Sequence, residues 1–212
     1  MFRVLLASLL AVAACDKPPE VGLPPATPQQ APATYRARFE TSKGPFTVEV
    51  TRAWAPNGAD RFYQLVSNGF FDNTRFFRVI EGFMAQFGAH GDPDVNAAWK
   101  TLTIPDDPVV QSNKRGFITF ASEMQPNTRV TQVFINLVDN TNLDGLGFAP
   151  FGQVIDGMAA VDSLYDAYGE GAPSGFGPDQ NMIMARGNAY LERYFPKLDF
   201  IRTARIVSDS TK

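Results

Sequence analysis

Cysteine and histidine are almost absent from this chain of 212 residues, which has one of each, Cys15 and His90. A single cysteine leaves no intrachain disulfide. A single histidine leaves no His-rich metal cluster and no Ser-His-Asp set beyond His90 itself, which sits in the loop Gly88 to Pro93 and reads as a loop residue. Excess positive charge is missing too: the formal net charge is -3, which argues against a nucleic-acid partner because phosphate binding needs a basic face. Arg36, Arg38, Arg202 and Arg205 alternate along strand-like segments and read as solvated strand faces. The glycines do not form a phosphate-binding pattern ahead of a helix, and Gly169-Glu170-Gly171 reads as a turn cluster. No cofactor is expected.

What the chain does have is phenylalanine, 18 residues against two tryptophans, within a hydrophobic content of 44%. That favours a β-rich, aromatic-filled interior and one core, hence one folded domain.

The N-terminus has its own composition. Arg3 precedes a short apolar stretch, Val4 to Ala14, which ends in small residues just before Cys15. The stretch falls short of the about 20 apolar residues that span a bilayer, and it has the charged, apolar, small-residue order of an export signal. Val12-Ala13-Ala14-Cys15 resembles a bacterial lipobox, which implies cleavage after residue 14 and lipidation of Cys15. Asp16 resembles an inner-membrane retention signal of enterobacterial lipoproteins. From Asp16 to Ala33, Pro18, Pro19, Pro24, Pro25, Pro28 and Pro32 exclude a helix or a core. The expected organisation is a signal peptide at 1–14, a lipidated cysteine with a proline-rich tether at 15–33, and a folded domain at 34–208. The expected location is the bacterial envelope, facing the periplasm.

Within the domain, Tyr35, Ala37 and Phe39 alternate with polar residues, as do Phe46, Val48 and Val50 after the Ser42–Pro45 turn, which predicts a hairpin. Ala59, Phe62, Tyr63 and Val66 predict a helix over 56–68, with Gly69 as its stop. Strands are predicted at 74–80, 83–88, 116–121, 131–137, 151–156 and 199–208. A second helix is predicted at 158–168, and a short one at 187–194. Many strands with two substantial helices suit a closed antiparallel barrel.

Two strand-like segments carry residues that a plain core would not need. In Phe76 to Gly88, alternation turns Phe77 and Val79 inward and Arg78 outward, and puts Met84 and Gln86 on one face. In Thr131 to Leu137, Val133, Ile135 and Leu137 face inward, while Gln132, Phe134 and Asn136 share the other face. Large apolar groups on a polar outer face suggest an open groove.

These residues resemble the cyclophilin family of peptidyl-prolyl cis-trans isomerases. The family's aromatic-x-Arg-aliphatic-aliphatic-x-Gly-Phe-Met-x-Gln-x-Gly signature matches residues 76–88, its Pro-Asn-Thr run and Gln-x-Phe strand match Pro126-Asn127-Thr128 and Gln132-Val133-Phe134, and its Leu-Asp-Gly and Phe-Gly-x-Val segments match Leu143-Asp144-Gly145 and Phe151-Gly152-Gln153-Val154. The resemblance runs from about Thr34 to about Val207 and implies an eight-stranded antiparallel barrel capped by two helices. It implies Arg78 as the catalytic residue, with Phe83, Met84, Phe134, Leu143 and Phe148 as an apolar proline pocket. Gln86 and Gln132 match groups that hold the substrate backbone, and Ala121 and Ser122 match the edge along which the peptide lies. The substrate implied is a proline-containing polypeptide, unfolded or newly exported, handled by a monomer. The competing reading is a non-catalytic module that grips proline peptides as a holdase or scaffold. Relative to minimal members, Tyr168 to Leu198 is an extension.

Overall fold

The structure, a computed structural model, describes residues 21–207. The expected signal peptide, Cys15 and the first part of the tether lie outside the described residues. Eight strands form one antiparallel sheet: β1 (Thr34–Thr41), β2 (Gly44–Thr51), β3 (Arg78–Ile80), β4 (Met84–Phe87), β5 (Phe117–Phe120), β6 (Val133–Asn136), β7 (Pro150–Asp156) and β8 (Ile201–Val207). Their spatial order is β3-β4-β6-β5-β7-β2-β1-β8. The sheet curls until its ends meet, but β3 and β8 share no ladder. The seam is held instead by residues 74–76 ahead of β3 and residues 199–201 at the start of β8, through a bridge between Arg75 and Phe200 and bonds from Phe76 N to the Asp199 carbonyl (3.0 Å) and from Ile201 N to the Thr74 carbonyl (2.9 Å).

Inside the curl, alternation has turned one side chain in two toward an almost wholly apolar core. Phe39 stacks on Phe46 with centroids 4.7 Å apart and touches Phe62, Phe71 and Phe87, while Phe151 joins Phe62 to Phe120. Tilted and edge-on rings fill a tapering space densely, which makes the barrel wall stiff.

Helix α1 (Pro56–Ser67) buries Phe62, Leu65 and Val66 in that core. Its first turn has no side-chain cap of its own. Asp107, fifty residues on, accepts from the backbone N–H groups of Asn57 (3.0 Å) and Gly58 (2.8 Å), placing an anion where the orphan donors point. Residues Gly88 to Pro93 lead into a short helix not anticipated from the pattern, α2 (Pro93–Trp99), capped by Asp92. The helix expected over 158–168 ends early, as α3 (Met158–Asp162). Asp199 takes the Tyr165 N–H at 2.7 Å and draws the chain off the helical path.

Conversely, the short helix expected at 187–194 is the second half of α4 (Gln180–Tyr194), which begins at an Asp179 cap and breaks at Gly187. At φ +53°, Gly187 comes so close to Gly91 that a Cβ would sit 2.0 Å from its carbonyl oxygen. Only glycine permits that approach. The break lets the first half of α4 reach across the barrel while Ile183 and Leu191 stay buried.

Phe77 departs from the simple alternation. It was expected to point inward with Val79, yet it packs with Ala89, Ile183, Leu191 and Leu198 in a separate cluster beneath α4. The regular ladder begins only at Arg78, so strand parity does not extend back to Phe77.

The described part of the expected tether, residues 21–33, lies along the domain. Trp99 donates its indole N–H to the Gly22 carbonyl (2.7 Å), Gly22 N donates to the Asn68 carbonyl (2.8 Å), and Ala31 N donates to Asp60 (2.9 Å). Prolines keep this strap extended and leave it few donors, and these contacts use two of them.

Candidate active site

The outer face of three neighbouring strands carries the residues singled out by the sequence. Antiparallel pairing sets Arg78 opposite Gln86 and Gln86 opposite Phe134, and the next row sets Ile80 opposite Met84 and Met84 opposite Asn136. Val79, Ala85, Phe87, Val133 and Ile135 fill the core behind them. Met84, Phe134, Leu143 and Phe148 form a second apolar cluster outside the barrel, flanked by Ile80, Phe83 and Ala121. The Phe134 and Phe148 rings meet edge to face at 5.6 Å. This cluster floors a cavity of about 780 Å³, which Arg78, Gln86, Ala121, Ser122 and Gln132 also line. All ten residues put forward from the sequence thus surround one groove.

The polar side of the groove is a relay. Arg78 Nη1 donates to Gln86 Oε1 at 3.0 Å, and Gln86 Nε2 donates to Gln132 Oε1 at 2.8 Å. Nη1 also lies 3.6 Å from the Met84 sulfur, and the guanidinium carbon is 5.9 Å from the centre of the Phe83 ring. Burial of a guanidinium is costly unless its donors are matched. Arg78, whose side chain is 20% exposed, meets that demand with a second partner that no sequence pattern pointed to. Glu170 accepts from Nε at 2.7 Å and from Nη2 at 2.6 Å, a bidentate pair. The bond to Arg78 holds the Glu170 carboxyl below its ordinary value despite the opposing effect of burial.

A buried amide network supports the pocket rim from behind. Asn113 Nδ2 donates to Asp144 and to the Phe148 carbonyl, both at 2.8 Å, and Asn136 Nδ2 donates to Asn113 Oδ1 at 3.3 Å. Asn140 Nδ2 donates to Asn136 Oδ1 (2.8 Å) and to the Phe83 carbonyl (2.9 Å). The network therefore fixes Phe83, Phe148 and the 3-10 turn Thr141–Leu146 that carries Leu143. Burial would raise the Asp144 pKa, but bonds from Ser112 and from the side chain and backbone of Asn113 bring it below the usual value. Phe83 and Asp144 fall within the matched motifs, yet nothing in the sequence marks them as partners of Asn140 and Asn113, 57 and 31 positions away.

The far wall of the groove comes from the 168–198 extension: Gln180, Asn181, Met184 and Ala185 line it from the first half of α4. His90 stays out of the groove. Its ring packs against Phe70, its Nδ1 accepts from Asp92 N at 3.0 Å, and burial lowers its pKa.

The outside of the curled antiparallel sheet thus carries an apolar pocket with an arginine and two glutamines at its side. The model of the cyclophilin type peptidyl-prolyl cis-trans isomerase family matches residues 36–184, and the chain belongs to that family. It is 32% identical over 133 residues to peptidyl-prolyl cis-trans isomerase B of Escherichia coli, covering 59% of this chain and 81% of that protein. It is also 32% identical over 139 residues to a peptidyl-prolyl cis-trans isomerase of Acinetobacter baylyi, covering 62% and 72% of the two chains. The fold is similar to that of a Cryptosporidium parvum cyclophilin type peptidyl-prolyl cis-trans isomerase. That likeness has a TM-score of 0.60 at 22% identity and covers 83% of this chain and 99% of the other.

The amide network generates a prediction. Asn113→Ala leaves the Phe148 carbonyl and the Asn136 amide short of a buried partner, each costing about 1–3 kcal/mol. The melting temperature should fall by roughly 2–4 °C per kcal/mol lost. An unchanged melt would mean that water or a neighbour replaces the lost bonds.

Proposed function

We propose that this protein accelerates rotation about X-Pro bonds, with Arg78 stabilising the twisted amide and the apolar pocket holding the proline ring. Family membership supports the isomerase reaction. The observation that supports the roles is a guanidinium held beside the apolar cluster that floors the groove, with its Nη1 3.0 Å from Gln86 Oε1.

The chemistry required is modest. The peptide C–N bond resists rotation by about 18–20 kcal/mol through its partial double-bond character. Unaided, X-Pro bonds interconvert over about tens to hundreds of seconds. No covalent bond need break, so a catalyst has only to bind the twisted amide more tightly than either planar form. Twisting returns the lone pair to the prolyl nitrogen, where a fixed cationic donor lowers its energy. Arg78 supplies that donor, and each ~1.4 kcal/mol given selectively to the twisted state is worth a factor of ten. Phe83, Met84, Phe134, Leu143 and Phe148 grip the ring while the preceding carbonyl swings. Gln86 and Gln132 hold the peptide backbone, which lies along Ala121 and Ser122. The substrates are unfolded or newly exported proteins, handled by a monomer.

On sequence grounds, Cys15 anchors the chain by lipid to the cell envelope, facing the periplasm. One acyl chain holds only weakly, at about 0.8 kcal/mol per buried methylene, so firm attachment needs more than one chain. Residues 16–20 are then the length of chain between the anchor and the strap that docks beside Trp99. Cys15→Ser should move the protein from the membrane to the soluble fraction or block its maturation. Unchanged fractionation with an unchanged N-terminal mass would refute the anchor.

Arg78→Ala should abolish most isomerase activity and leave the fold intact, since it removes a charge from a partly open groove and opens no core cavity. Peptide affinity should weaken much less than turnover. Arg78→Lys should rescue poorly, because an ammonium keeps the charge without the planar fork. The measurement is kcat/KM on an Ala-Pro peptide in a protease-coupled assay, beside a thermal melt of each variant. A folded Arg78→Ala protein with near-normal turnover would overturn the mechanism and favour the binding-module reading.

A further inference from the structure

The 168–198 extension places a carboxylate on the arginine of the groove, and the loop that carries it is built around that residue. Gly171 N donates to Glu170 Oε1 at 2.9 Å, and Gly177 N donates to the Glu170 carbonyl at 2.8 Å. Gly175 lies so close that a Cβ there would be 2.3 Å from the Glu170 carbonyl oxygen, and one at Gly177 would be 2.8 Å away. The glycines let the loop close tightly over the Glu170 backbone, and the Asp179 cap of α4 follows at once. Glu170 is thus presented by a folded turn rather than by a loose end.

We propose that Glu170 is a positioning residue for the isomerase reaction, holding the Arg78 guanidinium in the orientation that meets the twisted amide. The proposal rests on the catalytic reading of Arg78. Glu170 takes Nε and Nη2, while Gln86 and Met84 meet Nη1, so the guanidinium is fixed from two sides. The alternative is a brake, in which the carboxylate competes with substrate for the same donors. Two observations favour positioning. Arg78 lines the groove and Glu170 does not, so the carboxylate leaves the cavity open. The Arg78–Gln86–Gln132 relay is also intact with Glu170 in place. An arginine side chain has several rotatable bonds, and immobilising it before substrate arrives removes that entropy from the barrier.

The experiment measures kcat and KM separately for the full chain and for Glu170→Gln, Gly175→Ala and Arg78→Ala, with thermal melts. It also records the Arg78 Nε–H resonance by NMR. Glu170→Gln keeps the shape but loses the charge and the second acceptor, at a side chain already 39% exposed, so the melt should change little. Its kcat should fall on the order of tenfold, the scale expected when a reacting group is slightly misplaced, with KM nearly unchanged. The Nε–H resonance should lose its protection from exchange. Gly175→Ala, which disturbs the turn and leaves the ion pair chemically intact, should lower kcat in the same way. A kcat equal to or above that of the unmodified chain in Glu170→Gln, with Arg78→Ala inactive, would overturn the positioning role alone, and a rise would identify a brake. Full activity in Arg78→Ala would overturn the underlying mechanism.

Discussion

A guanidinium set mostly buried at the edge of an apolar pocket is the constraint on which the rest of the site depends. Water cannot solvate Arg78 fully at the edge of an apolar pocket, so its donors must be met by protein, and met without closing the groove. Strand pairing supplies one partner: the β3–β4 register sets Gln86 directly across from Arg78. The second partner, Glu170, comes from 92 residues further along the chain. Behind them the stacked phenylalanines of the barrel keep the strands from yielding, and the Asn113–Asn136–Asn140 network keeps the pocket rim in register with the wall.

The proposed chemistry and the fold fit one another through rigidity. Rotating an amide needs no nucleophile, metal or proton transfer, only a surface more complementary to the twisted form than to the planar ones. Such complementarity has to be prepared in advance, because a donor that reorganises during the reaction spends part of its advantage on doing so. A barrel wall filled with aromatic rings, with polar groups on its outside already bonded in sequence, meets that requirement. The strap over residues 21–33 adds a related constraint, since its contacts with Trp99, Asn68 and Asp60 hold it against α1 and α2.

The legible part of this structure was whatever a local period could encode. Alternation placed Val79, Val133 and Ile135 in the core and Arg78, Gln86 and Phe134 on the outside, because side-chain direction in a strand follows from the position before it. Helix α1 was readable from its apolar spacing. The misreadings occur where distant chain overrides the local period. Phe77 was read by extending strand parity past the start of the ladder, and α4 covers it instead. The helix at 158–162 was read too long because a carboxylate at Asp199 ends it. The Gly169–Glu170–Gly171 segment was readable as a turn, but the contact of Glu170 with Arg78 across the fold was not. Proline content marked a tether over 15–33 but could not disclose the docking of residues 21–33, to which the Trp99 indole contributes.

The central claim is that the groove receives both planar forms of a prolyl peptide and favours the state between them. Exchange NMR of an Ala-Pro peptide with the unmodified protein tests this directly, by giving the affinity of the cis and trans forms and their interconversion rate on the protein. The account predicts comparable affinities for the two forms and interconversion far faster than the about tens to hundreds of seconds of the free peptide. Tight binding of one isomer with interconversion no faster than in solution would contradict it.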